Sequence, residues 1–221
     1  MAKRKRLSPE TIIERLSSVY GMPENQPSDD PLAELILTVL SQNTADTNSG
    51  RAFTRMLRKY PSWDAIADAP PDELIATIQS GGLANQKGPR IQKILRAVAE
   101  RSPDRDMSFL AEEPLEKARS WLRSLPGVGP KTAACVLLFA LDRPAMPVDT
   151  HVERVAKRLK LIGPKVTAEK AHEQLEKLVD GSLYYAFHMS LIKHGRRTCS
   201  ARKPKCAGCI LEPDCPSSEA S

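Results

Sequence analysis

Four of the five cysteines in this 221-residue chain lie close together near its C-terminus. Cys199, Cys206, Cys209 and Cys215 have six, two and five residues between them, and no apolar run around them could form a core by itself. Thiolates at this density bind soft metal ions. The segment is therefore predicted to be a metal-binding loop.

The spacing of these cysteines leaves the metal open. Structural zinc sites usually use two close pairs of ligands, and only Cys206 and Cys209 form such a pair. An iron–sulfur cube accepts isolated cysteines more readily, because its irons present separate ligand positions. Zinc stays an alternative, and disulfide pairing is disfavoured because no signal peptide is recognisable. The fifth cysteine, Cys135, lies in an apolar run and is predicted to be a small buried side chain.

A turn rich in glycine and proline is the second candidate site. It reads Leu125-Pro-Gly-Val-Gly-Pro-Lys-Thr-Ala133, and its glycines let the backbone turn sharply and approach a partner. Amides that open the next helix can hold a phosphate, although the same sequence suits a plain corner between helices. Lys131 meets unpaired amides and partial desolvation there, which favour the neutral amine of a nucleophile. A lysine that only contacts phosphate would fit the same position.

A third candidate, Asp149, precedes another predicted helix. Thr150 and Glu153 have the spacing of a capping box, so Thr150 is predicted to cap that helix. Asp149 has no such local role, apart from a favourable interaction with the helix dipole. His151, in the first turn, is interpreted as a surface or interface histidine rather than a base.

The charge balance favours a polyanionic partner. Lys and Arg total 33 against 27 Asp and Glu, which gives a net charge of +6 and a pI near 9.1. The basic start, Met1–Arg6, suits a nucleic-acid arm, a targeting run or a solvated terminus equally. The longest apolar run is far too short for a membrane span, so we expect a soluble intracellular protein of one large or two small domains.

Helical periodicity dominates the chain, and no strand-like alternation of useful length is present. Ser8 and Pro9 form a start signal for the first helix, and Thr167 can cap a later one. The run from Ala133 to Leu141 is apolar on all sides and is predicted to lie in the centre of a domain. The fold class is predicted to be all-α. Apolar residues at helical spacing fall near 12–20, 32–40, 53–60, 118–125, 152–159, 171–178 and 184–191.

Together the glycine turn, the segment Val148–His151 and the cysteine loop resemble the endonuclease III family of helix-hairpin-helix DNA glycosylases. The resemblance extends from the first helix to Cys215. It implies two helical domains with duplex DNA in the cleft between them: a six-helix domain at 24–144, and a second domain formed by 1–23 and 145–221. It also implies a [4Fe–4S] cluster on the cysteine loop, 199–215, a monomer, and a prokaryotic cytoplasmic location at the nucleoid.

The resemblance further implies base-excision repair of oxidised or ring-damaged pyrimidines. Lys131 would attack C1′ of the damaged nucleotide, and Asp149 would assist and stabilise positive charge on the sugar. The resulting Schiff base would allow β-elimination at the abasic site. Two alternatives stay open: a monofunctional mismatch or uracil-type glycosylase of the same fold, and a non-catalytic iron–sulfur module that binds DNA.

A damaged nucleotide must be flipped out of the duplex before it can react. Members of the family fill the resulting gap with side chains from two loops. By resemblance, Leu83 is the apolar wedge of one loop, and Gln42 or Asn43 contacts the orphaned base from the other. Asn43 stands where many relatives have glutamine, and Ala84 replaces a common aromatic residue, so lesion preference is open. The residues expected to contact DNA are Gln42, Asn43, Asp46, Leu83, Asn85, Lys87, Gly127, Val128, Gly129 and His151.

Overall fold

A computed structural model of the chain describes residues 6–218, in which all regular secondary structure is helical. The basic start of the sequence lies outside this range apart from Arg6. Within the range, no helix has both the length and the apolar character needed to cross a bilayer. The α-helices are α1 (Pro9–Tyr20), α2 (Pro31–Ser41), α3 (Asp46–Lys59), α4 (Trp63–Asp68), α5 (Pro71–Ile78), α6 (Ala84–Arg101), α7 (Phe109–Glu112), α8 (Leu115–Ser124), α9 (Pro130–Cys135), α10 (Thr150–Arg158), α11 (Ala168–Leu178) and α12 (Tyr184–Arg197).

The chain divides into two compact units. One is Pro27–Arg143, which contains α2 to α9, and the other combines the segment up to Gln26 with the chain from Pro144 onward. These units are defined by contacts within the chain. The domain limits predicted from the sequence, 24–144 and the two flanking segments, remain a prediction.

The core of unit Pro27–Arg143 surrounds α2 and α9. Helix α2 packs against α3, α6 and α9, and its apolar residues Leu35, Ile36, Val39 and Leu40 are fully buried. Helix α9 continues into a π-helical segment, Val136–Ala140, whose side chains are buried apart from that of Phe139. This confirms the predicted central helix and the predicted burial of Cys135.

The other unit is organised by α12, which packs against both α1 and α10. Ser8 caps α1 by accepting a hydrogen bond from the amide of Thr11, and Thr167 caps α11 by accepting one from Lys170, as predicted. The fully buried side chains of Ile12, Phe187 and Leu191 form part of its core.

The observed helices confirm the predicted all-α class, and each predicted helical segment falls on an observed helix. The longest helix, α6, was not predicted. Its apolar residues Ile91, Ile94, Leu95 and Val98 are buried at helical spacing, but Gly88 and Pro89 precede them and interrupt the pattern.

Candidate functional site

A tight turn positions Lys131. The amide of Val128 donates to the carbonyl of Leu125 at 3.1 Å, and Gly127 has a φ of +73°, a conformation that glycine adopts without strain. Pro130 then begins α9, so Lys131 lies in the first turn of the helix that leads into the core. We call residues 125–129 the hairpin turn. It ties the position of Lys131 to the buried part of α9.

The hairpin turn leaves two exposed amides without a hydrogen bond, rather than three. We expected Gly127, Val128 and Gly129 all to present amides to a phosphate, but the Val128 amide is used inside the turn and its side chain is buried. The amides of Gly127 and Gly129 donate no hydrogen bond within residues 6–218. No side chain caps α9 either, so the amides of Gly127 and Gly129 are the donors that an anion could use here.

A carboxyl group that the sequence analysis missed lies near Lys131. Glu34, on α2, is half-buried and accepts a hydrogen bond from the Thr38 hydroxyl at 2.9 Å. Burial raises the pKa of Glu34, and the positive charge of Lys131 acts in the opposite direction. An acidic residue inside an otherwise apolar helix was the available signal, but only the packing of α2 against α9 relates it to the lysine.

Gln42 is held against the hairpin turn. Its side-chain amide donates to the Gly127 carbonyl and to the Thr132 hydroxyl, both at 3.3 Å, and its oxygen accepts from Arg90 Nη1 at 2.9 Å. Asn43, by contrast, is exposed and has a φ of +53°. Of the two residues expected to face an orphaned base, Asn43 is therefore the exposed one. Arg90 was not predicted, because its partners are distant in sequence.

Leu83 lies at the surface, where an apolar wedge is expected. Its side chain is 48% exposed, and its φ of +51° is rare for a branched side chain. Ala84, which follows it, is buried. Asn85, in the first turn of α6, and Asp46, in the first turn of α3, are exposed. Their contacts with DNA stay a prediction.

Lys87 does not lie on the surface, contrary to our expectation that it contacts DNA. Its side chain is only 2% exposed, and its ammonium group donates to the Leu40 carbonyl, the Thr44 hydroxyl and the Gly81 carbonyl. Burial lowers the pKa of Lys87, and the charge of Arg90 adds to this effect. The side chain therefore bonds to the protein with all three of its donors.

In the other unit, Asp149 and not Thr150 caps α10. The Asp149 carboxylate accepts hydrogen bonds from the amides of His151, at 2.9 Å, and Val152, at 2.7 Å. Both bonds go to Oδ1, and Oδ2 accepts none from the described part of the chain. The predicted cap was one residue too late, because a carboxylate in an extended conformation outcompeted the hydroxyl next to it.

His151 is half-buried, and its ring lies against protein atoms. Its Nδ1 is 3.0 Å from Arg154 Nη2, and its Cβ lies close to Gly195. Arg154 also donates to the carbonyls of Gly195 and Cys199. This agrees with an interface histidine, and its proposed DNA contact stays a prediction.

The four cysteines of the C-terminal loop line a single cavity. Its apolar wall includes Val155, Leu159 and Leu211. Burial raises the pKa of the Cys209 thiol, and the nearby Cys215 and Cys199 act in the same direction. Within residues 6–218, no three His, Cys, Asp or Glu side chains converge on a position for a single metal ion.

Two side chains of the second unit contact the sulfur atoms. Arg158 Nη1 donates to Cys199 Sγ at 3.1 Å and to the carbonyl of Ser200 at 2.7 Å. His194 Nε2 lies 3.8 Å from Cys209 Sγ. Burial lowers the pKa of His194 to about 4, so this imidazole is neutral near pH 7.

Known proteins resemble this chain over most of its length. Residues 36–180 match the HhH-GPD superfamily of base excision DNA repair proteins. An endonuclease III from Thermotoga maritima is 36% identical over 206 residues, which cover 92% of each chain. The chain belongs to the endonuclease III family.

Solved structures of endonuclease III share this fold. A non-covalent endonuclease III–DNA complex has a TM-score of 0.81 and 29% identity, and a trapped endonuclease III–DNA covalent intermediate has a TM-score of 0.80 and 28% identity. Each comparison covers 96% of this chain and 97% of the other. Our chain is thus a base-excision-repair enzyme, a DNA glycosylase with abasic-site lyase activity, which favours the bifunctional prediction over both alternatives.

Members of the endonuclease III family carry a [4Fe–4S] cluster, and the cysteine cavity fits such a group. Four thiols face one space, and burial makes a thiolate at Cys209 costly without a positive partner. Arg158 already supplies a donor to one sulfur, as is usual around cluster ligands. The donor set is therefore compatible with the cluster.

The two hairpin glycines should respond differently to substitution by alanine. At Gly127 the added Cβ would lie 2.5 Å from Arg90 Nε, and φ is positive, so Gly127→Ala should destabilise the protein by about 1–2 kcal/mol and displace Arg90 from Gln42. At Gly129 the backbone is extended and no heavy atom lies within 4 Å of the added Cβ. Gly129→Ala should therefore keep the melting temperature but weaken binding to a duplex with a tetrahydrofuran abasic analogue.

Thermal unfolding and fluorescence anisotropy measure the two effects. Gly50→Ala, on α3 with equally open space, is the control and should leave binding unchanged. Unchanged DNA affinity in Gly129→Ala would show that no phosphate approaches this glycine.

Proposed function

We propose that this chain excises oxidised or ring-damaged pyrimidines from duplex DNA, and then cleaves the abasic strand, with Lys131 as the nucleophile and Asp149 as the assisting carboxylate. The observation that carries this proposal is the location of Lys131 in the first turn of a buried helix, directly after two exposed glycines, Gly127 and Gly129, whose amides donate no hydrogen bond within residues 6–218. An endonuclease III relative with the same fold has been trapped as a covalent intermediate with DNA.

The proposed chemistry requires the neutral form of the Lys131 amine. Its Nζ forms a bond to C1′ while the N-glycosidic bond breaks and the base leaves with the electron pair. Ring opening then gives an imine between Nζ and C1′, which acidifies the C2′ proton. Loss of that proton expels the 3′ phosphate, so the strand is cut 3′ to the lesion. Hydrolysis of the imine returns the lysine.

Asp149 suits the role of a fixed negative charge. Its Oδ1 is held by two backbone amides, so the carboxylate cannot rotate away, while Oδ2 keeps its capacity to accept. A carboxylate in this state stabilises the positive charge that develops on the sugar as the base departs. The amides already fix its orientation, so little reorganisation is required during the reaction.

Duplex DNA with damaged bases or abasic sites is the proposed partner of the monomeric enzyme, in a prokaryotic cytoplasm at the nucleoid. The amides of Gly127 and Gly129 would hold a phosphate near the lesion without reading sequence. Exposed Leu83 and Asn43 would occupy the space that the flipped nucleotide leaves.

We also propose that Cys199, Cys206, Cys209 and Cys215 hold a [4Fe–4S] cluster. Its role would be structural, because base excision and β-elimination require no redox step. Arg158 and His194 would support two of the ligands.

Borohydride trapping tests the nucleophile. Wild-type protein should form a covalent adduct with a lesion duplex, and Lys131→Gln should form none, because an amide cannot make the imine. Lys117→Gln, an exposed lysine on α8, is the matched control and should trap like the wild type. An adduct of normal yield in Lys131→Gln would assign the chemistry to another amine.

Two substitutions at Asp149 separate its structural and chemical roles. Asn is as good an N-cap as Asp, so Asp149→Asn should keep the melting temperature and still lose base excision, because the charge is gone. Asp149→Ala should lose both the activity and about 1 kcal/mol of stability. Excision rates and thermal unfolding, measured side by side, check this. Full excision by Asp149→Asn would leave the residue only its capping role.

Iron and sulfide analysis tests the cluster. Cys209→Ala should lose bound iron and the visible absorption of the cluster, whereas Cys135→Ala, which alters the buried cysteine, should retain both. One equivalent of zinc in place of iron and sulfide in the wild type would overturn the cluster assignment in favour of the zinc alternative.

A further inference from the structure

Lys87 is among the largest fully buried side chains of the described residues, and it is a cation. It lies in the first turn of α6 and belongs to no ion pair within residues 6–218. Its Nζ donates to the Leu40 carbonyl at 2.5 Å, to the Thr44 hydroxyl at 2.8 Å and to the Gly81 carbonyl at 2.9 Å. Burial of an ammonium group that donates only to neutral acceptors is costly.

These three acceptors belong to the end of α2 and to two separate loops. Leu40 ends the last buried turn of α2, and Thr44 lies in the loop that follows, which we call loop 42–45. Gly81 belongs to the turn before α6, which we call loop 81–83. The Thr44 hydroxyl also donates to the Gly81 carbonyl at 2.6 Å, so the loops are joined directly as well as through Lys87.

Each loop carries an exposed residue in the left-handed backbone conformation. Asn43 has a φ of +53° and Leu83 a φ of +51°, and both side chains are exposed. Gly82, beside Leu83, is also close to the other loop, since a Cβ there would lie 3.3 Å from Thr44 Oγ1. Two groups that Lys87 contacts, Thr44 and Gly81, are thus in the same two loops as the exposed residues Asn43 and Leu83.

We propose that Lys87 is a positioning residue, which joins loops 42–45 and 81–83 into one rigid unit so that Asn43 and Leu83 enter duplex DNA together. This rests on the proposed function, in which those two residues fill the space left by a flipped nucleotide. Lys87 would act only through the loops and would touch neither DNA nor the reacting atoms.

The inference predicts a selective defect. A substrate that needs nucleotide flipping should suffer when the loops separate, whereas an abasic site in single-stranded DNA should not, because Lys131 reaches it without insertion. Lys87→Met keeps the length of the side chain and removes all three donors. Excision from a lesion duplex should fall on the order of 100-fold, since a displacement of about 1 Å can cost that much. Cleavage of a single-stranded abasic site should stay within about threefold of wild type, because the Lys131 chemistry is unaltered.

A spectroscopic measurement reports insertion itself. With 2-aminopurine opposite a tetrahydrofuran abasic analogue, saturating wild-type protein should increase fluorescence by unstacking the base, and Lys87→Met should give a much smaller increase. Lys93→Met, an exposed lysine on the same helix, is the matched control and should behave like the wild type.

A second pair of variants tests the inference if Lys87→Met does not fold. Thr44→Val removes the hydroxyl that joins the loops, and Thr44→Ser restores it, so only the former should lose duplex excision and the fluorescence signal. Equal losses on duplex and single-stranded substrates, or no loss in either, would overturn the positioning role. Failure of the proposed function is distinguishable, because wild-type protein would then give no trapped adduct on either substrate.

Discussion

Burial of the helix after the hairpin turn is the constraint on which the candidate site depends. The side chains from Thr132 to Leu138 are all buried, so α9 cannot rotate or slide without opening the core of its unit. The backbone of the first turn of α9 is therefore fixed, and this fixes the position of Lys131. A nucleophile on a mobile loop would lose conformational freedom during the reaction, whereas for Lys131, the nucleophile that we propose, that entropy is lost during folding. The hairpin turn adds a second benefit, because the backbone conformation that holds the lysine also leaves the amides of two exposed glycines without a hydrogen bond in the described part of the chain.

Several cationic side chains of this basic chain form hydrogen bonds within the protein. Lys87, Arg90 and Arg158 all donate hydrogen bonds to groups of the same chain. Carbonyl groups at helix ends and in irregular loops lack partners, and a long cationic side chain can supply several donors at once. The Leu40 carbonyl at the end of α2 is one example, since it accepts from Lys87. Net charge alone is therefore a poor guide to the number of phosphate contacts, and the location of each charge decides its role.

Features that depend on neighbouring residues were predictable, and features that depend on distant ones were not. The all-α class and the central helix follow from local periodicity, which the structure confirms. The cap of α10 was misplaced by one residue, because Asp149 and Thr150 both satisfy the local pattern and only backbone geometry separates them. Lys87 was assigned to the surface, because its partner Leu40 is 47 residues away and leaves no local signal. Glu34 was overlooked for the same reason: only the packing of α2 on α9 relates it to the lysine.

The buried cation Lys87 stabilises two loops whose backbones are strained. A left-handed backbone costs an ordinary side chain about 1–2 kcal/mol, and rather less for Asn43 than for Leu83. A hydrogen bond from a charged donor contributes about 1.5–3 kcal/mol, and Lys87 makes three. These contacts stabilise the two loops that carry Asn43 and Leu83, and they offset part of the desolvation cost of the buried ammonium group. The insertion that we propose for Asn43 and Leu83 would then require little further ordering of the loops.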